Sequence, residues 1–276
     1  MLANLATVLT GAAERHCAVA CFNVFGWEDA RAVVDAAAQL GAPVILAANL
    51  DFRRSMPVEV IAVMLRTLAQ RAPVPVCAHL DHTYDVNEVL HGVDLGFSSV
   101  MFDGSQLPLA ENIAATARVV QYAHAAGCSV EAEIGSVPYA EGRAHIKSEL
   151  TEVGDAARLA VETGIDALAV SVGNVHRLNT PGVVIDFARL AQIAAAVSVP
   201  LVIHGTSGIS DQDIQRLARA RVAKFNIGTR LRQAFGRGLR DTLSRHAGRF
   251  DRLEIMADVM PIVSGEAMRI MRLLGA

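Results

Sequence analysis

The chain reads as one (β/α)8 barrel of the α/β class, and three observations predict it. Short apolar runs of strand length alternate with longer stretches of helical period from end to end. The strand-like runs number eight, which closes a parallel barrel. Polar and ionisable residues gather at the ends of several runs, where such a barrel carries its chemistry.

In chain order the expected strands are Ala18 to Asn23, Pro43 to Ala48, Pro75 to His79, Ser98 to Phe102, Ser129 to Glu133, Ala167 to Ser171, Leu201 to His204 and Ala223 to Ile227. The stretches that follow them have amphipathic helical spacing: Glu28 to Leu40, Val58 to Gln70, Val86 to Leu95, Ala110 to Ala126, Asp155 to Thr163, Phe187 to Ala196, Asp211 to Ala220 and Arg230 to Arg245. Ser210 ahead of Asp213 reads as a capping box, and Gly41, Gly96, Gly127 and Gly164 stand at helix ends. Two segments break the rhythm. Ile134 to Glu152 is long for a βα connection, as lids and substrate loops are. Residues 247–276 form an extension beyond the last barrel helix, with Phe250 to Leu274 apolar enough for one or two helices that cover the barrel or bind a second subunit. No linker or low-complexity tract divides the chain, so residues 1–276 are expected to form a single domain.

Composition excludes several classes of function. A formal net charge of -3 provides no basic stripe for nucleic acid. Although 52% of residues are hydrophobic, no run approaches the roughly 18 apolar positions of a membrane span. The N-terminus lacks the basic and long apolar regions of a signal peptide, and Cys17, Cys21, Cys77 and Cys128 form no CxxC pair. A cytoplasmic protein with reduced thiols is expected.

Candidate site residues lie at or after strand ends: Asn23, Asp81, His82, Asp103, Glu133, His176, His204 and Asn226. A lone histidine there is ordinarily a hydrogen-bonded structural residue. Three imidazoles at three converging strand ends, His82, His176 and His204, can instead meet around one metal ion, with Asp81 as an acid beside it. His79 lies on the same strand face as Asp81 but one layer deeper and reads as a core histidine, while His16, His91, His124, His145 and His246 read as surface residues. HGTSG (His204 to Gly208) and NIGT (Asn226, Ile227, Gly228, Thr229) place small residues before helices in the loops after strands 7 and 8, where barrels bind phosphate.

The motifs HLDH at His79, SVMFDGSQLPLAENI at Ser99, SVEAEIG at Ser129, TGIDALAVSVGNVH at Thr163, PLVIHGTSG at Pro200 and KFNIGT at Lys224 resemble, in order, the class II fructose-bisphosphate and tagatose-bisphosphate aldolases. The resemblance runs from CFNVFGWEDARAVVDAAAQLGAPVIL near the N-terminus to about the last barrel helix. It implies that His82, His176 and His204 bind one catalytic Zn²⁺ and that Asp81 is the proton donor. It further implies that Asp103 and Glu133 hold a second divalent or monovalent cation, that Gly205, Thr206, Ser207 and Asn226 to Thr229 hold a dihydroxyacetone-phosphate-like substrate, and that Glu141 is a loop base. The activity implied is cleavage and formation of a C–C bond in a ketose phosphate through a zinc-stabilised enediolate, in a homo-oligomer (dimer or tetramer). Two features depart from the family pattern: Arg177 stands where a glycine follows the second zinc histidine, and AANLDFRRSM replaces small Ser and Gly residues after strand 2. Arg177 is expected either to contact an anionic substrate group or to pair with an acid of the long loop.

The alternatives are a non-catalytic barrel subunit of an aldolase complex, a divergent metal-dependent aldolase for an acidic or unphosphorylated ketose, and a metal-dependent hydrolase or epimerase. A Schiff-base mechanism needs a reachable lysine, and the two lysines, Lys147 in the long loop and Lys224 deep in a strand, are poorly placed.

Overall fold

The computed structural model describes residues 1–12, 14–140, 148–178, 180 and 182–276. Eight parallel strands close into a barrel in sequence order: β1 (Val19–Asn23), β2 (Val44–Ala48), β3 (Val76–Thr83), β4 (Ser99–Phe102), β5 (Ser129–Ile134), β6 (Ala167–Val170), β7 (Leu201–Ile203) and β8 (Val222–Ile227). Closure is made where β1 pairs with β8, aligning Val19 with Lys224 and Cys21 with Asn226.

Strand alternation sorts the side chains into two cores. Outward residues such as Phe22, Leu46, Leu80 and Val100 pack under the helices. Inward residues Val19, Cys21, Ile45, Ala47, Cys77, Met101, Ala169 and Val202 fill the barrel. Each fully buried Leu, Ile or Phe contributes roughly 1.5–3 kcal/mol, so the apolar cores carry most of the stability. The short helix α1 (Leu5–Leu9) plugs the N-terminal end of the barrel with Leu5, Val8 and Leu9. That plug leaves the C-terminal mouth as the open face.

The outer helices fall where the periodicity predicts them: α2 (Trp27–Leu40), α4 (Val58–Arg71), α5 (Val86–Asp94), α6 (Leu109–Ala125), α7 (Val153–Thr163), α8 (Phe187–Ala196), α9 (Asp211–Arg219) and α10 (Thr229–Arg245). Gly41 and Gly164 end α2 and α7 in left-handed conformations. Ser210 caps α9 by accepting from the Asp213 N–H, and its hydroxyl also donates to the Asp213 carboxylate. The extension is one helix, α11 (Arg252–Leu273), which runs through Pro261 and lies over α2 and α10, burying Val259, Val263, Ala267, Ile270 and Met271. Among the described residues no helix is long and apolar enough to cross a membrane.

Two local features are absent from the sequence expectation. One is α3 (Leu50–Ser55), a single short helix inside the loop after β2, capped by Asn49 accepting from the Phe52 N–H and anchored by the buried Phe52 ring. The other is the extension of β3 through Thr83, with a register shift between Leu80 and Thr83 and a positive φ of 48° at His82. In a regular strand Asp81 and His82 would face opposite sides. The irregularity turns both toward the mouth.

Candidate active site and metal centre

A cleft opens at the C-terminal mouth, lined from the ends of β1, β2, β3, β6, β7 and β8. It gathers Asn23, Asp81, His82, His176, Arg177, Gly205, Thr206, Ser207, Asn226, Gly228 and Thr229. His204 lies fully buried beside His82. Asp103 and Glu133 sit behind His82, while Ile227 turns away into the outer core and only its backbone belongs to the loop. Glu141, His145 and Lys147 lie outside the described residues.

The three imidazoles converge. Ligand atoms of His82, His176 and His204 lie within 4.8 Å of one another, and His204 Nδ1 is 2.7 Å from His82 Nε2. The opposite ring nitrogens are taken: His82 Nδ1 is 2.9 Å from Asp103 Oδ2, and His204 Nε2 is 2.9 Å from Glu131 Oε1. Those carboxylates hold the two rings with their remaining nitrogens facing each other, the second-sphere pattern of histidine metal ligands. The His176 ring stacks on the Tyr139 ring at 4.6 Å, and the backbone N–H of His176 donates to the Pro138 carbonyl.

The electrostatics favour one positive charge in this space. Burial works to lower the pKa of His82, but Asp81 and Asp103 outweigh it and hold the value well above the ordinary one. Burial, then the neighbouring His82 charge, lowers both His176 and His204. Glu133 is pushed up by burial and by Asp103, and its Oε2 has no hydrogen-bond partner among the described residues. Such an orphaned buried oxygen next to a cluster of imidazoles needs a cation or a proton. The donor set therefore fits a divalent metal ion, with His82, His176 and His204 as one group of ligands and His82, Asp103 and Glu133 as a second.

Below the mouth runs a buried chain of charges. Asp81 accepts from Asn23 Nδ2 at 2.7 Å and from Asn226 Nδ2 at 3.0 Å. Burial works to raise its pKa, but the charges of His82, His204 and Lys224 overcome this and keep the carboxylate ionised. Lys224 Nζ donates to Asn226 Oδ1 at 2.6 Å and pairs with Glu131 Oε2 at 2.8 Å. Burial opposes ionisation of Glu131, but Lys224 leads the interactions that bring it down to about 2. His79, bonded through Nδ1 to Ser99 Oγ at 2.8 Å, is lowered to about 4 by burial and then by Lys224. It is a neutral core histidine, as its register predicts. Glu131 and Lys224 are not among the residues expected from the sequence as part of the site. The available signal was alternation, since Glu131 and Glu133, like Lys224 and Asn226, share the inward face two residues apart.

The loops after β7 and β8 meet on one side of the cleft. Gly205 has φ 66°, and a Cβ there would lie 2.6 Å from the Val175 carbonyl, so only glycine lets this loop pass against the β6 loop. Thr206 Oγ1 donates to the Asn226 carbonyl at 2.6 Å and ties the two loops together. The buried Ser207 Oγ has no partner among the described residues. α10 begins at Thr229 without a side-chain cap and points its amide end at the cleft. Arg232, one turn further, also lines the cleft, and its position on the helix face is invisible before the fold is known.

The loop after β2 completes the wall. Arg53 has only 4% of its side chain exposed; it donates to the carbonyls of Ala48 and Asp81 at 2.8 Å and of His82 at 3.1 Å, and pairs with Glu88. It holds the irregular end of β3 rather than meeting a ligand. Arg53→Leu is expected to lower stability by about 3 kcal/mol, the loss of charge-assisted bonds to buried carbonyls, measured by urea denaturation; an unchanged midpoint would contradict that role. Arg177 lines the cleft and pairs with Asp51 of α3.

The class II fructose-bisphosphate aldolase family matches residues 3–276. The chain is 34% identical over 275 residues to the 6-phospho-5-dehydro-2-deoxy-D-gluconate aldolase of Shouchella clausii (strain KSM-K16), covering 99% of this chain and 94% of that one. Among solved structures it resembles the YdjI aldolase of Escherichia coli K12, with a TM-score of 0.87 and 33% identity over 100% of this chain and 98% of that one. The fructose-bisphosphate aldolase (Fba) of Campylobacter jejuni shares the fold, with a TM-score of 0.84 at 22% identity, covering 99% of this chain and 95% of that one. With a buried histidine and carboxylate cluster fit for a divalent ion at the mouth of the same barrel, the chain belongs to the class II fructose-bisphosphate aldolase family, metal-dependent lyases that break and form a C–C bond.

Proposed function

We propose that the chain is a zinc aldolase for a ketose phosphate, with His82, His176 and His204 as the ligands of one Zn²⁺ and Asp81 as the proton-transfer group. The observation that carries this reading is the convergence of ligand nitrogens of His82, His176 and His204 within 4.8 Å of one another, with His82 and His204 each fixed by a carboxylate behind it. A Zn²⁺ held there supplies a Lewis acid toward the ketone oxygen of the substrate. Asp103 and Glu133 provide, with His82, a position for a second or alternative cation.

The chain's own residues do the rest. The β7 and β8 loops bind the phosphate through backbone N–H groups of Gly205 to Ser207 and Gly228 to Thr229, with the Ser207 hydroxyl as a further donor. Asn23 and Asn226 hold the two oxygens of Asp81 and fix its direction. An ionised carboxylate only accepts, so in the cleavage direction Asp81 takes the proton of the C4 hydroxyl and returns it in condensation. Glu141 is proposed as the base of the long loop. Lys224 is fully buried against Glu131 and cannot serve as a Schiff-base nucleophile.

We also place the protein in the cytoplasm as a homo-oligomer. The four free cysteines support the first, and exposed Trp27, Phe250 and Leu253 near the Arg252–Glu28 ion pair support the second.

A panel of ketose phosphates assayed for zinc-dependent release of dihydroxyacetone phosphate tests the reaction. Activity should disappear with a chelator and survive borohydride. Asp81→Asn is expected to lower kcat by about 10²-fold or more while zinc content stays at the wild-type level. Equal kcat in that variant would remove Asp81 from the mechanism.

A further inference from the structure

An imidazole that binds a metal ion needs its ring held in one orientation, and the three histidines at the mouth are held by different means. His82 and His204 each have a carboxylate behind the ring, Asp103 and Glu131, both at 2.9 Å. Among the described residues no carboxylate pairs with His176. Its ring lies instead on the face of Tyr139, with the centroids 4.6 Å apart and the planes 21° from parallel. Packing by the face leaves the imidazole edge open toward His82 and His204, whose ligand atoms lie within 4.8 Å.

The backbone builds this contact. Tyr139 belongs to the long segment after β5 and forms a parallel bridge with His176: the His176 N–H donates to the Pro138 carbonyl at 2.7 Å, and the Ala140 N–H to the His176 carbonyl at 3.0 Å. Residues paired in this way project their side chains to the same side, so the bridge sets ring against ring. Nearer the barrel the segment is fastened by the Ser136–Glu149 bridge and by the Thr151 hydroxyl, which donates to the Ile134 carbonyl. These bonds do not involve the Tyr139 side chain. Arg177 uses the same ring. Successive residues of an extended chain point to opposite sides, but Arg177 has a left-handed φ of 60°, and its guanidinium lies 5.5 Å from the centre of the Tyr139 ring. Tyr139 therefore underlies two consecutive residues of the cleft wall.

We propose that Tyr139 is a positioning residue for the metal centre, doing for His176 by aromatic stacking what Asp103 and Glu131 do for His82 and His204 by hydrogen bonding. The inference rests on the zinc reading above. Without the ring, His176 can turn out of the plane that aims its nitrogen at the other two, and loss of a group that orients a ligating histidine ordinarily weakens metal affinity about 10- to 100-fold. The stacking is made by the ring face and not by the hydroxyl, so phenylalanine should replace tyrosine.

The test titrates zinc against a chromogenic chelator on the full chain, comparing the wild type with Tyr139→Leu, Tyr139→Phe and His176→Ala, and records the visible spectrum of each protein loaded with cobalt. Tyr139→Leu keeps an apolar side chain without a ring face; it should weaken zinc about tenfold or more and alter the cobalt bands. Tyr139→Phe should bind zinc within about twofold of the wild type and keep its spectrum. A merely structural role for Tyr139 would lower the midpoint of thermal unfolding and leave zinc affinity and the cobalt bands where they are. Wild-type zinc affinity in Tyr139→Leu, or equal losses in the Leu and Phe variants, would overturn the proposal. His176→Ala separates this failure from that of the zinc reading. If it weakens zinc and Tyr139→Leu does not, only the role of Tyr139 falls; if it leaves zinc affinity unchanged, the ligand assignment and the role of Tyr139 fall together.

Discussion

Replacing His82, His176 and His204 together with alanine is expected to strip the protein of stoichiometric zinc and abolish aldol cleavage while leaving the barrel folded. The rings of His82 and His176 sit at the rim and that of His204 just beneath it, all above the apolar layers of Val19, Cys21, Ile45 and Ala169, so truncation leaves the apolar core intact. A single His204→Ala change should already reduce kcat/KM by about 10³-fold or more, because it removes one ligand and the contact that fixes Glu131 at once. Metal analysis, far-ultraviolet circular dichroism and the cleavage assay together decide the matter. Retained zinc in the triple variant would mean that the ion sits elsewhere, with the cluster of His82, Asp103 and Glu133 as the first place to look.

The second large effect concerns stability rather than turnover. Lys224→Met should destabilise the fold by about 3–5 kcal/mol, because it leaves the fully buried Glu131 without the cation that holds it ionised. For a chain of this size the midpoint of thermal unfolding should fall by roughly 10 °C. Adding Glu131→Gln to Lys224→Met should recover part of the loss, since the uncompensated charge is then gone, while the His204 ring keeps a polar neighbour. If Lys224→Met melts with the wild type, the buried ion pair is not what secures this layer of the barrel.

Both effects draw on the same layer of inward-facing residues. Glu131 touches His204 through one oxygen and Lys224 through the other, and Lys224 reaches Asn226, which in turn holds Asp81. His82 and His204, the proposed metal ligands, and Asp81, the proposed proton-transfer group, are thus positioned by one continuous set of bonds across β3, β5, β7 and β8. Arg53 adds a support from outside the barrel, fastening the carbonyls of Asp81 and His82 where β3 loses its regular register.

Period and punctuation made the eight strands and their helices legible, because apolar alternation must match the face each element buries. α3 was not legible: six residues are too few to show a period, and the helix exists because Asn49 caps it and Phe52 finds a buried place. The histidines, Asp81 and the glycine-bearing loops were legible as strand-end residues of a barrel. Glu131 was not, and of Lys224 only the deep inward placement was, since alternation gives a residue's face but not its partners. Arg177 was visible as a departure, and its partner Asp51, 126 residues away, was not.

By itself, then, the amino-acid sequence determined the order of strands and helices, the end of the barrel where chemistry gathers and the kinds of ligand atom offered there. These follow from local pattern, from short-range sterics and from the one way a parallel eight-stranded sheet closes. Only the tertiary structure decided which atoms meet: His82 with His204 across 122 residues of chain, Asp81 with Asn226 across 145, and both Asp81 and His82 on one side of an irregular strand. Such contacts are set by barrel closure and register, where a shift of one residue sends a side chain to the opposite face, and no local pattern carries that information.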